Sequence, residues 1–130
     1  MTTEITGTVG SAPVEPAPVE FEPVEPVGLL VQVLRPGHDV VLQGRLDSRT
    51  APAARSLLHE AAEDGFGDLV VRLEDVEIWD ASGLGVLVGA NRKARQCGRR
   101  LVLADVPPRQ LWLLRATRLS RALTVEPLAS

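Results

Sequence analysis

A chain of 130 residues has room for one domain of roughly 100–150 residues with a short appendage, and its 45% apolar content is that of an ordinary globular protein. With two Phe, two Trp and no Tyr, the core must be built from Val, Leu and Ala, and no apolar run approaches the ~20 residues that would span a bilayer. Residues 1–28 hold five acids and no base, so the overall charge of −3 leaves +2 on the remainder, too weak a field to argue for nucleic acid.

Residues 1–28 read as a disordered tail ahead of a domain over residues 29–130. Pro13, Pro16, Pro18, Pro23 and Pro26 alternate with Val and Glu, and proline denies a sheet its N–H donors. The tail is a spacer or a docking peptide, and it lacks the basic start and apolar centre of a secretion signal. Leu29–Leu34 and Asp39–Gly44 are β-type runs around Arg35-Pro36-Gly37-His38, which predicts a hairpin. Asp47 then reads as a turn or helix start ahead of Pro52.

A helix is predicted from Ala51 to about Asp64, with Ala54, Leu57, Leu58 and Ala61 at helical spacing and Gly65 and Gly67 as stops. His59 has no Cys or second His at ligand spacing, which argues against a metal site. Asp68–Leu73 is a third strand, expected to pair in parallel because a helix precedes it. Glu74, Asp75 and Glu77 read as an acidic loop.

Asp80 is placed to cap the next helix, about Ala81–Cys97, by accepting from the N–H groups of Ser82 or Gly83. On that helix Leu84, Leu87, Val88 and Asn91 are expected to face the sheet, with Gly85, Val86, Gly89 and Lys93 outward. Glycine costs a helix about 1 kcal/mol relative to alanine. Its repetition around an outward valine points either to close packing against another element of the chain or to close approach of another protein. The second reading is favoured here because the helix already has an inner face, and it makes Val86 a contact. Cys97, the single cysteine, cannot form an internal disulfide, which suits the cytosol, and is read as a packing residue. Arg92, Lys93, Arg95, Arg99 and Arg100 are read as solvating the helix end. Leu101–Ala104 is a fourth strand. Pro107-Pro108 opens a helix through Arg115 with Leu111, Leu114 and Trp112 inward, and Leu119–Val125 closes the domain as an edge strand. Strands alternating with helices make the class α/β.

Enzymatic motifs are missing. A Gly-x-Ser-x-Gly elbow is spoiled by Asp80 at the first glycine and by the early Gly83. Gly83, Gly85 and Gly89 are one residue off the dinucleotide pattern and lie inside a helix.

Asp80-Ala81-Ser82-Gly83-Leu84-Gly85 resembles the Asp-Ser-Ser-Gly-Leu-Gly motif of anti-sigma-factor antagonists, in the STAS-domain family. Gly44-Arg45-Leu46-Asp47 resembles that family's Gly-Glu-Leu-Asp, and the spacing of strands and helices agrees from about Leu29 to Val125. The resemblance implies a mixed sheet of about four to five strands flanked by about three to four helices. It implies a cytoplasmic, non-enzymatic binding module without cofactor. Its partner would be an anti-sigma factor of the serine-kinase type, whose capture frees a sigma factor. The partner-binding residues would be Asp47, Asp80, Ala81, Ser82, Gly83, Gly85, Val86 and Gly89.

In phospho-regulated members the acceptor serine directly follows the aspartate, and here that residue is Ala81. Either the protein is locked in its binding form, or Ser82 takes over as acceptor. Family members also serve in signalling scaffolds and as accessory subunits of lipid-transport ATPases, roles that fit loss of the serine equally well. Two further departures are Arg72, where the family often has aspartate, and Arg118, where it commonly has glycine.

Overall fold

A computed structural model describes residues 22–24 and 28–129. The rest of the tail expected to be disordered lies outside the described residues. The elements are β1 (Glu22–Val24), β2 (Leu29–Arg35), β3 (Asp39–Leu46), α1 (Ala51–Glu63), β4 (Asp68–Ile78), α2 (Ala81–Gln96), β5 (Arg100–Val106), α3 (Pro108–Ala116), a 3₁₀ turn (Leu119–Arg121) and β6 (Thr124–Pro127). The six strands lie in chain order across one sheet. β2 and β3 pair antiparallel, whereas β3/β4, β4/β5 and β5/β6 pair in parallel through the crossovers that carry the helices. The five strands from Leu29 onward match the expected mixed sheet. β1 is an addition within the supposed tail, pairing antiparallel with Leu29–Val31 at the sheet edge, where a strand proline such as Pro23 is tolerated.

Local chemistry accounts for the joints. Pro36 and Gly37, the latter at φ 73°, occupy the middle of the hairpin turn, and the His38 N–H closes it on the Arg35 carbonyl at 2.8 Å. Gly44 has φ 119° and lies so close to the Gly28 carbonyl that a Cβ could not be accommodated.

β4 runs five residues beyond the predicted strand, so Glu74, Asp75 and Glu77 are strand residues and not a loop. The register passes from Val41↔Arg72 to Gln43↔Asp75, which places one extra residue in β4. The inward residues are therefore Leu69, Val71, Leu73 and then Val76, three positions on. A strict alternation breaks at that bulge.

The core is aliphatic, with Leu42, Leu69, Leu73, Leu101 and Leu103 from the sheet meeting Leu58, Leu87 and Leu114 from the helices. α1 and α2 pack side by side. The buried stripe of α2 is Gly83, Val86, Leu87, Ala90 and Ala94, rotated by roughly a quarter turn from the expected one at ~100° per residue. Small side chains let this helix lie close to its neighbours, while Leu84 and Val88 flank the stripe half-buried. Val86 is fully buried and is a core residue, not an outward contact.

Three other expectations are corrected. Trp112 is exposed on α3, whose inward residues are Gln110 and Leu114. Cys97 is exposed and not packed. Arg99 is buried beneath α1, where its guanidinium meets backbone carbonyls.

The two departures from the resembled family are also accommodated. Arg72 forks onto both oxygens of Asp39 at 2.9 Å and reaches Asp105 at 3.1 Å, and these hydrogen bonds hold its guanidinium well above the usual arginine range. Arg118 sits at φ 66°, a left-handed conformation that glycine enters without strain.

Candidate functional site

Two loops leave the sheet at the carboxyl ends of neighbouring parallel strands: Asp47–Thr50 after β3, and Trp79-Asp80 after β4. They are held together by backbone. The Trp79 N–H donates to the Leu46 carbonyl at 3.0 Å. Gly83, at the start of α2, packs on that same carbonyl, and a Cβ there would come within 2.6 Å of its oxygen.

Asp80 completes the joint. Its backbone is extended, with φ −157° and ψ −178°, as an N-cap requires. Oδ1 accepts from the N–H of Ser82 at 2.9 Å and of Gly83 at 3.3 Å, which satisfies two free donors of the helix start. Oδ2 accepts from the Ser48 N–H at 3.1 Å, across 32 residues of sequence. One carboxylate thus caps α2 and fastens the first loop to it.

Asp47 shapes the turn that leads into α1, whose N-cap, Thr50, makes no side-chain capping bond. The Asp47 Oδ1 accepts from the N–H groups of Arg49 at 2.9 Å and Thr50 at 3.1 Å, while its backbone carbonyl accepts from Ala51 at 2.9 Å. The buried Thr50 hydroxyl donates to the Arg45 carbonyl at 2.9 Å and accepts from the Asp47 N–H at 3.1 Å. The two readings of Asp47 are compatible: it builds the turn, and the turn lies against the second helix start.

The structure therefore brings Asp47, Asp80, Ala81, Ser82 and Gly83 to one end of the sheet. Ala81 is exposed at the first helical position, and Ser82 is half-buried. Gly85 lies one turn along α2, exposed, with open space where a Cβ would go. Gly89 turns toward α1, where a Cβ would come 3.9 Å from His59 Nε2. Val86 is not part of this surface.

Trp79 and Arg45 are the residues that sequence reasoning missed. The Trp79 indole is exposed, the Arg45 guanidinium carbon lies 4.6 Å from its ring centroid, and its Nε1–H donates to Glu77 Oε1 at 3.1 Å. The available signal was a tryptophan, rare in this chain, directly before the capping aspartate.

Both loop carboxylates, Asp47 and Asp80, accept from backbone amides, and among the described residues no three His, Cys, Asp or Glu come together as a metal site. No helix among the described residues is long and apolar enough to cross a membrane.

Gly85 yields a prediction. Gly85→Ala should stabilise the free protein by about 0.5–1 kcal/mol, because an open helical site gains alanine's propensity with no clash. Thermal denaturation measures it, and a destabilised variant would mean that space is filled.

A family model described as "STAS domain" matches residues 32–128. An anti-sigma-B factor antagonist of Staphylococcus aureus is 33% identical over 72 residues, covering 55% of this chain and 67% of that protein. The protein of the same name from Bacillus subtilis is 36% identical over 80 residues, covering 62% and 72%. Among solved structures, an anti-sigma-factor antagonist (STAS) domain protein from Planctomyces limnophilus superposes with a TM-score of 0.63 at 17% identity, over 76% of this chain and 91% of that one.

Proposed function

The chain belongs to the STAS domain family, and from that premise we propose that it is an anti-sigma-factor antagonist: a cytoplasmic, non-enzymatic protein that captures an anti-sigma factor of the serine-kinase type and so frees a sigma factor. The names of its relatives support the class of partner. The observation that carries the reading is the double use of Asp80, which joins two loops into one preformed surface. Capture works by steric competition. A partner seated across Ser48, Ala81 and Gly85 can no longer hold its sigma factor. Because the loops are already tied, little ordering entropy is lost on docking.

The same geometry gives the reading of Ala81. A phosphoryl group at this first helical position would place up to two negative charges and three bulky oxygens beside the Asp80 carboxylate, in the middle of the contact. Alanine has no oxygen to accept it. Ser82 lies ~100° farther round the helix and half-buried, so its hydroxyl does not replace the missing one. The protein stays in its binding form.

Incubation with a kinase-type anti-sigma factor and ATP, followed by mass spectrometry, tests this reading. The unaltered chain should remain unphosphorylated and bound, while Ala81→Ser should gain one phosphate and dissociate. Stoichiometric phosphate on Ser82 with release of the partner would overturn it.

A further inference from the structure

We propose that Trp79 is the anchoring contact of this surface, and that the partner receives it in an apolar pocket bordered by carboxylates. The inference rests on the reading of the chain as a protein-binding module and names the chemistry of its partner. Trp79 is 60% exposed in a domain whose leucine and valine side chains are mostly buried. Tryptophan carries roughly 150–250 Å² of buriable surface, and it is enriched among residues that dominate interfaces.

This side chain is held in place before any partner arrives. The Trp79 backbone is fixed to Leu46, the indole N–H is held by Glu77, and one ring face lies against Arg45. A preset aromatic ring loses little freedom on binding. Exposure alone would not single it out, since Trp112 and Phe66 are also exposed. Trp79 differs in its position, directly before Asp80 at the joined loops. Phe66 packs edge-on to His38 at the hairpin end of the sheet, and Trp112 lies on α3.

Charge sets the border of the pocket. The acids of the two loops are engaged within the chain: Asp80 by three amides, Asp47 by two, and Glu77 by the indole, with Arg109 at 3.9 Å. Arg45 and Arg49 are exposed here, and among the described residues neither has a carboxylate in ion-pairing reach. The loops therefore offer an indole stacked on the Arg45 guanidinium, with Arg49 exposed on the same loop and neither cation neutralised by a carboxylate among the described residues. Carboxylates around an apolar depression complement that pattern, and guanidinium favours such planar partners.

The test is titration of a kinase-type anti-sigma factor into the full chain carrying Trp112→Phe, so that Trp79 is its sole tryptophan. Its emission should shift to shorter wavelength as complex forms. Trp79→Ala should weaken binding at least ~30-fold and Arg45→Glu at least ~10-fold, whereas Phe66→Ala should bind as the unaltered chain does. If the unaltered chain binds while Trp79→Ala binds within about twofold of it, the anchor is refuted and the antagonist function stands. Emission unchanged at saturation refutes the anchor independently of any substitution. If the unaltered chain does not bind, the functional reading falls, and this inference with it.

Discussion

Arg99→Ala should lower the stability of the domain by about 3–5 kcal/mol, the largest effect expected of any single truncation outside the aliphatic core. Arg99 is 5% exposed, and its Nη1 donates to the carbonyls of Ala61 at 2.9 Å and Ala62 at 3.0 Å. These belong to the last turn of α1, which has no basic residue of its own there. Nε donates to the Gly67 carbonyl at 3.0 Å, and Nη2 reaches the carbonyl of Gly37 in the hairpin turn. One side chain from the β5 approach thus caps a helix, fixes the loop after it and ties both to the hairpin. Truncation leaves several carbonyls buried without partners. At about 4–8 °C per kcal/mol for a domain near this size, the melting temperature should fall by about 12–40 °C. Arg99→Lys should recover only part, because a single ammonium cannot span the fork. A loss below ~1 kcal/mol in urea denaturation would contradict the burial.

Gly83→Ala should cost about 1–2 kcal/mol net and weaken partner capture at least ~10-fold. The added Cβ would come 2.6 Å from the Leu46 carbonyl oxygen and 3.1 Å from Ile78 Cγ2. Forcing an atom into such a contact costs about 1–3 kcal/mol, and here the nearest obstacle is strand backbone, which cannot turn aside. Alanine's helix propensity offsets up to about 1 kcal/mol. Relief requires the start of α2 to move away from β3, which opens the Asp80–Ser48 hydrogen bond. Stability and binding therefore fall together, in contrast to Gly85→Ala further along the same helix. Urea denaturation and calorimetric titration measure both, and a Gly83→Ala protein as stable as the parent would refute the close approach.

The contrast between those two glycines marks what sequence reasoning can reach. Asp80 as a cap, Pro36-Gly37 as a turn and the limits of α1 were legible because each depends on chemistry within a few residues. The face of α2 was not. Apolarity favoured Leu84 and Val88, whereas packing selected Gly83, Ala90 and Ala94, whose value lies in being small. The bulge near Asp75 hid the second half of β4 because it breaks the period of two. Arg99 looked like one more cation at a helix end, since its carbonyl partners lie 31 or more residues away. The joining of Asp80 to Ser48 depends on parallel strands lying side by side, a relation that exists only once the sheet has formed.

Amide hydrogen exchange of the chain alone and in complex with a kinase-type anti-sigma factor tests the central claim most directly. Slowed exchange should appear together in Arg45–Arg49 and in Trp79–Gly85, two segments far apart in sequence, and the hairpin turn at Pro36–His38 should be unaffected. Protection confined to that turn and the adjoining end of α1, with the Asp80 loops exchanging as in the free protein, would contradict it.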